Sequence, residues 1–363
     1  MSGFNLIALD SNFEIVSLLS YTNLQWSRKY NEPGIFSVEI PLNQYDTRFH
    51  YLYTKDRQEM GVIEQIYYTD EGSFRSINLS GFFLENELNH HIVFKKGTDN
   101  IKNSPVWVNY EGNAEDVAYK FFEGFKTITF DNDGVEVTSR MEIDSGTNQN
   151  RGKNANHERC GERLGDKIYH ILKASEMSYS VKYDFVTSKK IFEVWSGKDR
   201  TQDQNINNPV TFSTNYGNIK KPKVLIDKTE YRNVCVVENQ TDDSVFTQIV
   251  SNADVNEIKR FVYIRSALNK ADYSTDQLFY SAMKAEGRAE LSERIQIINV
   301  EFDAIEGSYE YMKDFDLGDK CNIEIPEVGI SANAILIGCY EVMKKGTWSL
   351  TLEFGTPILR NRR

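Results

Sequence analysis

The alternation of side chains between residues 347 and 354 constrains the fold more than any other feature of the sequence. Trp348, Leu350, Leu352 and Phe354 share one face of an extended segment, and the polar residues between them share the other: Thr347, Ser349, Thr351 and Glu353. Successive side chains of a β-strand point to opposite faces, so this period of two predicts a strand with one apolar and one polar face.

Two earlier segments complete a predicted antiparallel meander of three strands over Asp316 to Gly355. Apolar and polar residues alternate from Cys321 to Ile325, and Pro326 to Gly329 end that strand. A second, more continuously apolar strand runs from about Ala334 to Met343. It turns at Lys344 to Gly346, where glycine accepts a positive φ at little steric cost.

The N-terminal third also has the pattern of strands. Trp26 to Ile40 predicts a hairpin, and Pro33-Gly34 at its centre predicts a type II turn with a positive φ at the glycine. A second hairpin is predicted from Gly61 to Leu79, with its turn at Thr69 to Ser73. The apolar segment Gly81 to Ile92 predicts a short helix under this sheet.

In the middle of the chain the apolar period changes to that of helices. A first helix is predicted after Asn113, a plausible N-cap with Asp116 three residues later, and a second over about Glu162 to Ser175. Asp131 to His157 has few apolar residues and predicts a long exposed excursion. The alternation from Tyr179 to Trp195 predicts another hairpin.

The last third combines strands with one helix. Strands are predicted near Val210 to Phe212, Lys223 to Thr229, Asn233 to Glu238 and Ile295 to Ile305. Ser274 with Gln277 predicts a capping box for a helix that ends near Arg294. The apolar stripe predicted for that helix is Leu278, Ala282, Ala285 and Ala289.

Composition excludes several classes of protein. The formal charge of -11 argues against a general nucleic-acid-binding surface, which needs clustered Lys and Arg. The four cysteines form no C-x-x-C pair, and we interpret them as reduced thiols made in a cytosol. No segment approaches the roughly 18 apolar residues of a membrane helix, so no membrane insertion is expected.

The candidate residues for catalysis or metal binding form weak constellations. The adjacent side chains of His90 and His91 point apart and do not readily share a metal. His157 and Cys160 lack a third ligand nearby, and Cys160 with His170 is not a recognised nucleophile arrangement. The carboxylates of Glu85 and Glu87 form a pair that arises easily by chance in an acidic chain.

The phosphate-loop, dinucleotide, zinc-protease and serine-hydrolase motifs are all absent from the sequence. No cofactor, metal or catalytic residue is therefore assigned. The residues alone predict a β-rich protein of about two to four domains that binds or assembles.

Seven segments, taken in order, resemble the tail-hub proteins of tailed phages and prophages. That family includes the baseplate hub of contractile tails and the N-terminal part of siphophage tail-associated lysins. The segments are Leu24 to Pro41, Gly61 to Glu64, Leu79 to Gly81, Ser196 to Thr201, Phe212-Ser213 with Asn218, Leu317 to Asp319, and Phe354-Gly355. They cover nearly the whole chain.

The resemblance implies an α+β, β-rich fold with two small β-barrel domains separated by inserted helices and a hairpin. The first barrel would be residues 1–95, the insertion 96–220, and the second barrel 221–363 with its helix at about 275–294. Three copies would close into a ring that joins the tail tube to the distal tip or central fibre and forms part of the DNA channel.

The implied partners are further copies of the chain, a distal tail, tail-tube or tape-measure protein, and a tip or fibre protein, with DNA only in transit. The implied location is the virion tail tip, after synthesis in the host cytoplasm. The chain is expected to stop at Thr356 to Arg363, without the hydrolase extension of many relatives, so no enzyme activity is expected.

Two other functions stay open from the sequence. One is a tail-tip enzyme acting on the cell wall through Glu85, Cys160 or His170. The other is a glycan-binding module that uses exposed aromatic residues such as Trp107 or Trp195. For the hub, the polar face of Thr347, Ser349, Thr351 and Glu353 is the predicted inter-subunit or docking surface, and a merely solvated face is the alternative.

Overall fold

A computed structural model describes residues 5–72, 75–94, 110–157, 161–241, 244–305, 307–344 and 346–355. Strands hold 48% of the described residues and helices 17%, which confirms the β-rich α+β prediction. The bounds of these elements follow, from the N-terminus onward.

The strands of the N-terminal third are β1 Leu6–Leu9, β2 Ile15–Leu19, β3 Asn23–Lys29, β4 Ile35–Pro41, β5 Tyr51–Thr54, β6 Gly61–Asp70 and β7 Arg75–Phe83. The middle contains β8 Tyr110–Asn113, α1 Ala114–Phe125, β9 Thr127–Asn132, β10 Val135–Arg140, β11 Ile143–Ser145, β12 Asn154–His157, α2 Leu164–Lys173, β13 Ser178–Asp184, β14 Lys189–Trp195 and β15 Asp199–Arg200. The last third contains β16 Thr211–Ser213, β17 Ile219–Asp227, β18 Val234–Gln240, β19 Val245–Ser251, β20 Phe261–Arg265, α3 Asp276–Glu293, β21 Ile297–Ala304, β22 Lys320–Ile325, β23 Ile330–Lys344 and β24 Thr347–Gly355.

One sheet of 14 strands contains strands from both ends of the chain. Its order is β17-β21-β24-β23-β3-β4-β7-β6-β5-β1-β2, and β22 joins β15 and β16 to β23. No closed barrel is found among the described residues. The long strand β23 pairs with β3 from Gly338↔Lys29 to Lys344↔Asn23, so this sheet contains strands from both regions that were expected as barrels.

The predicted C-terminal meander is confirmed. β22 pairs antiparallel with β23, and β23 pairs antiparallel with β24. Leu350, Leu352 and Phe354 are buried, as the alternation requires, and Trp348 is half-buried. The second strand is longer than predicted, since β23 begins at Ile330.

The predicted hairpin of β3 and β4 is confirmed, but its turn has a different cause. Gly34 is not among the residues with positive φ, so the type II turn is wrong. A Cβ at Gly34 would overlap the ring of Phe83 and the carbonyl oxygen of Ser27. Glycine is needed here for close approach of neighbouring groups.

The segment predicted as a helix over Gly81 to Ile92 is strand first and 3-10 helix afterwards. β7 continues to Phe83, and the 3-10 helix spans Leu84–His90. Leu84 and Leu88 of this helix are buried in a core that also contains the inner faces of α1 and α2.

Helices α1 and α2 confirm the two helices predicted for the middle. The apolar side chains of α2 share one face and are all buried: Leu164, Ile168, Ile171 and Leu172. Asn113 occupies the N-cap of α1, yet its side chain donates to the carbonyl oxygen of Asn150 (2.8 Å) and does not cap the helix.

The predicted excursion from Asp131 to His157 is wrong in part. It contains β10, which forms a hairpin with β9, as well as β11 and β12. β10 is nevertheless mostly exposed, which explains why its sequence lacks apolar residues at regular spacing.

The chain divides into two compact units by its internal contacts. One contains the described residues up to Pro222 and those from Glu301 onward, and the other is Lys223–Val300. The domain boundaries predicted at residues 95 and 220 stay a prediction.

The unit Lys223–Val300 is a three-stranded sheet, β19-β18-β20, with α3 packed on one face. The helix begins one residue later than predicted, because Thr275 is the N-cap and its side chain accepts from the amide of Leu278 (3.3 Å). The predicted apolar stripe is also wrong. The buried residues are Phe279, Met283, Gly287 and Leu291, whereas Leu278 is 52% exposed.

Candidate functional site

The predicted docking surface lies on β24, which has strand neighbours on both sides, β21 and β23. Thr347 and Ser349 are exposed. Thr351 donates through Oγ1 to Asp303 Oδ1 (2.8 Å), and Glu353 accepts from the hydroxyl of Tyr340. Ser349 Oγ also lies 3.5 Å from the carbonyl oxygen of Val342, and a docking role for this face stays a prediction.

The histidines proposed for chemistry have other contacts. His91 is buried, with Nδ1 2.7 Å from the carbonyl oxygen of Phe125 and Nε2 2.9 Å from Ser139 Oγ. Burial lowers the pKa of His91. The rings of His157 and His170 lie edge to face at 5.7 Å, and Cys160 lies outside the described residues.

The carboxylates of Glu85 and Glu87 lie in different environments. Glu85 is buried, accepts from the amide of Gly34 (3.1 Å), and burial raises its pKa from 4.5 to about 7. Glu87 forms an ion pair with Lys190 at 2.5 Å. Glu87 is thus held by an ammonium group, whereas Glu85 is held by a backbone amide.

Trp195 is not the exposed aromatic platform that a glycan module requires. It is half-buried, and its ring meets Tyr30 edge to face at 5.1 Å. It also lines a cleft of about 30 Å³ beside Arg28, Glu59 and Glu85. That volume suits about one water molecule. Trp107, the other candidate, lies outside the described residues.

Within the part of the chain that the structure describes, no group of three or more His, Cys, Asp or Glu side chains is arranged to hold a metal ion. The same residues contain no helix long and apolar enough to cross a membrane.

The segments that carried the family resemblance meet in space and hold the fold together. Asp319 is buried and accepts from the amide of Lys198 (2.7 Å), from Arg200 Nε (2.6 Å) and from the amide of Asp316 (3.1 Å). A Cβ at Gly197 would overlap the backbone of Gly318. The two motifs Ser196 to Thr201 and Leu317 to Asp319 therefore interlock.

The remaining motifs are also structural. Asn218 is buried, accepts from the amide of Ser213 (2.8 Å) and donates to the carbonyl oxygen of Thr211 (2.8 Å). A Cβ at Gly81 would overlap the carbonyl oxygen of Val62 on the next strand. These residues determine how neighbouring strands and turns of this chain approach one another.

A buried ionic network joins the two ends of the chain, and reasoning from the sequence missed it. Arg28 pairs with Glu59 (2.5 Å) and Asp316 (2.6 Å), and Arg57 pairs with Glu341 (2.5 Å). The only sequence signal was the position of Arg28 inside a motif. Charge alone does not reveal that these residues are buried.

The surfaces best suited to contact another protein are strand edges. β6 pairs with β5 only at Gly61 and Val62, so its outer edge from Glu64 to Asp70 has no strand partner among the described residues. This stretch exposes Ile66, Tyr67 and Tyr68 at 51%, 70% and 49%. Exposed apolar strand edges readily pair with another strand.

The end strands of the large sheet, β2 and β17, are two further edges within the described chain. β17 exposes Leu225 (53%) and Ile226 (45%), and β2 exposes Ile15 and Leu18. β2 has only five residues. Short edge strands are one way in which proteins limit unwanted pairing.

Comparison with known proteins identifies the family. The family model described as Siphovirus ReqiPepy6 Gp37-like protein matches residues 8–356. No curated protein sequence matches the chain.

Three solved structures share the fold. The tail protein from Neisseria meningitidis MC58 has 12% identity and a TM-score of 0.58, over 98% of this chain and 97% of that one. The 43 kDa tail protein of prophage MuSo2 from Shewanella oneidensis has 10% identity and a TM-score of 0.57, over 96% and 97%. The prophage tail protein gp18 from Listeria monocytogenes EGD-e has 12% identity and a TM-score of 0.50, over 96% and 94%. With its fold and nearly all of its length matched, the chain belongs to the Siphovirus ReqiPepy6 Gp37-like protein family and is a phage or prophage tail protein.

Proposed function

We propose that this protein is a subunit of a trimeric tail hub that joins the tail tube to the distal tip or central fibre and forms part of the DNA channel. The observation that carries the proposal is a single sheet, built from both ends of the chain, whose apolar edges at β6 and β17 have no strand partner among the described residues. A ring closes through heterologous contacts between two different surfaces of each copy. Open strand edges supply such surfaces.

The role that we propose is structural and not enzymatic. The proposed partners are two further copies, a distal tail, tail-tube or tape-measure protein on one side, and a tip or fibre protein on the other. DNA would pass through without being held. The protein would be made in the host cytoplasm and reside at the virion tail tip.

The hub proposal is tested in assembled tails. Gold-labelled antibody against the chain should mark the tail tip in electron micrographs, and mass photometry of the purified chain at micromolar concentration should show a trimer. Loss of the gene should leave particles without a complete tip, and the cloned gene should restore it. Label along the tail shaft only, or normal tips without the chain, would contradict the proposal.

A matched pair of variants tests the docking surface on β24. Thr347→Lys with Ser349→Lys places two bulky charges on exposed positions of that face and should lower incorporation into tails. Asn205→Lys, which is exposed on a loop, is the control and should incorporate normally. Equal incorporation of both would favour a merely solvated face.

A further inference from the structure

A small cleft lies where parts of the chain that are far apart in sequence meet. Its walls come from β3 and the residues just before β6, from the hairpin of β13 and β14, and from Leu317 ahead of the C-terminal meander. The 3-10 helix Leu84–His90 contributes Glu85. The volume of the cleft, about 30 Å³, suits about one water molecule.

Three residues that line this cleft each have a buried polar atom without a hydrogen-bond partner among the described residues. The atoms are Glu59 Oε2, Ser180 Oγ and Trp195 Nε1. A buried polar group that makes no hydrogen bond is costly, so such groups are nearly always paired with protein or with ordered water. Three of them around one cleft indicate that the cleft binds a ligand.

The hairpin directs Ser180 and Trp195 to the same side. β13 and β14 are antiparallel, and Ser178 lies opposite Trp195 in their register. Side chains two residues apart on a strand share a face, so Ser180 lies on the face that carries Ser178 and Trp195. Ser178 is already engaged, because its hydroxyl donates to the carbonyl oxygen of Tyr30. A hydroxyl and an indole N–H therefore lie near each other on this face.

The carboxylate of Glu59 is held in place through its other oxygen. Glu59 Oε1 accepts from Arg28 Nε (2.5 Å). Arg28 also donates to Asp316 Oδ1 (2.6 Å) and to the hydroxyl of Tyr311 (2.8 Å). Glu59 Oε2 is left as a fixed acceptor beside the cleft.

The chemistry of the lining selects the kind of ligand. An anion would meet the carboxyl groups of Glu59 and Glu85, and a cation would meet the indole N–H of Trp195 and the guanidinium of Arg28. An organic molecule larger than water exceeds the volume. Water is neutral, both donates and accepts, and when buried typically forms about three hydrogen bonds.

We propose that the cleft binds one ordered water molecule, which accepts from Trp195 Nε1, donates to Glu59 Oε2 and shares a hydrogen bond with Ser180 Oγ. This water links the hairpin of the middle region to the ion pair of Glu59 and Arg28, and through Arg28 to Asp316. A bridging water of this kind is nearly as favourable in enthalpy as a direct hydrogen bond. It is a structural ligand of the chain.

A high-resolution crystal structure of the full chain tests the site directly. We expect one water peak within about 2.7–3.2 Å of Trp195 Nε1, Ser180 Oγ and Glu59 Oε2. Three results would overturn the proposal: a cleft without density, a direct hydrogen bond between Trp195 and Glu59, or a metal ion recognised by oxygen ligands at about 2.0–2.6 Å.

NMR of the chain with nitrogen-15 in its tryptophans tests the site in solution. The indole N–H of Trp195, identified by the signal that Trp195→Phe removes, should show a cross-peak to water with the sign of a long-lived bound molecule. Ser180→Val places methyl groups in the cleft and should remove this cross-peak. Ser251→Val, on an exposed strand position, is the control and should keep it.

Ser180→Ala distinguishes the water from the serine hydroxyl, whose exchanging proton also appears at the water frequency. Alanine leaves room for the water, so the cross-peak should persist. Its loss in Ser180→Ala, its survival in Ser180→Val, or its absence from the native chain would contradict a bound water.

Stability provides a second readout of the same variants. Ser180→Val leaves Trp195 and Glu59 without their shared partner, so the equilibrium constant for folding should fall roughly five- to tenfold in urea denaturation. Ser180→Ala should lower it less, and Ser251→Val should leave it nearly unchanged. A Ser180→Val chain as stable as the native one would show that the cleft does not need a water. If Ser180→Val does not fold, the crystal structure and the Ser180→Ala spectrum decide.

Discussion

At the scale of residues, the motifs that pointed to the family prove to be structural. The Asp319 carboxylate accepts from Arg200 and from two backbone amides, and Gly197 leaves room for the Gly318 backbone. Such residues are needed wherever this fold is built, whatever the surface carries. The motifs identified the fold for that reason and did not mark a site of chemistry.

Replacement of the buried Asp319 should strongly destabilise the protein. Asp319→Ala leaves the buried Arg200 guanidinium without its carboxylate, so we expect the free energy of unfolding to fall by about 3–5 kcal/mol. Asp46→Ala, which breaks a solvent-exposed pair with Arg48, should cause little change. Urea denaturation of the native chain and of the two variants measures the free energy of unfolding. Equal stability of the two variants would show that the Asp319 contacts contribute little.

The buried Glu85 predicts a dependence of stability on pH. Its pKa is raised from 4.5 to about 7 in the folded protein, so the folded state binds more protons than the unfolded state between these values. Stability contributed by this group is therefore highest below pH 4.5 and falls as the pH rises to about 7.

Glu85→Gln keeps an oxygen for the Gly34 amide and removes the charge. The melting temperature of the variant, relative to that of the native chain, should be clearly higher at pH 8 than at pH 5, as measured by circular dichroism. The native chain and the variant share all other titrating groups, so the effect of those groups on the melting temperature cancels when the two proteins are compared at the same pH. A difference that does not change with pH would rule out a buried, ionising Glu85.

At the scale of elements, a strand was easier to predict than the face of a helix. The period of two from Thr347 to Phe354 is unambiguous, and β24 follows it. In α3 several alanines compete with larger residues for the apolar stripe, and the predicted residues Leu278, Ala282, Ala285 and Ala289 lie one or two positions before the buried ones. The sequence neighbours of Gly287 are polar, so it was not counted as part of the apolar face. Its lack of a side chain nevertheless allows α3 to pack closely against Val237 and Val250.

Substitutions at the N-cap of α3 distinguish the predicted start of this helix from the observed one. Thr275→Ala removes the side-chain acceptor of the Leu278 amide and should lower the free energy of unfolding by about 1 kcal/mol. Ser274→Ala, one residue earlier, should have little effect, because Thr275 is the residue that caps the helix. Thermal and urea unfolding measure the stability of both variants. A larger loss of unfolding free energy for Ser274→Ala than for Thr275→Ala would show that Ser274 caps the helix, as predicted from the sequence.

At the scale of the whole molecule, the chain is joined by long-range pairing. β3 near the N-terminus and β23 near the C-terminus share seven register pairs, and the Arg28 and Arg57 ion pairs lie close to this seam. The regions expected as two barrels thus contribute strands to one sheet, and the sequence did not predict this pairing. Local pattern predicts strands, but it contains no information on which strand lies beside which.

The thiols of the core give a test of this arrangement as a whole. Cys235, Cys321 and Cys339 are free and buried, and burial raises the pKa of each thiol. In a Cys160→Ser variant, none of the remaining three cysteines should react with Ellman's reagent within minutes in buffer, and all three should react in 6 M guanidinium chloride, a denaturing concentration on the order used for stable domains. Rapid reaction of the folded protein would show that the sheet opens readily.

Much of the secondary structure, the β-rich class and the family followed from the sequence alone, because apolar period and ordered glycine and aspartate motifs are local properties. Some details were lost even there, among them the turn at Gly34 and the helical face of α3, since both depend on what packs against them. Only the tertiary structure decided that the strands form one sheet with β3 beside β23, and that Thr351 and Glu353 bond within the chain. The alternation that begins at Trp348 required a sheet, but the neighbours of each strand, and therefore the edges left open at β6 and β17, depend on contacts between residues far apart in sequence.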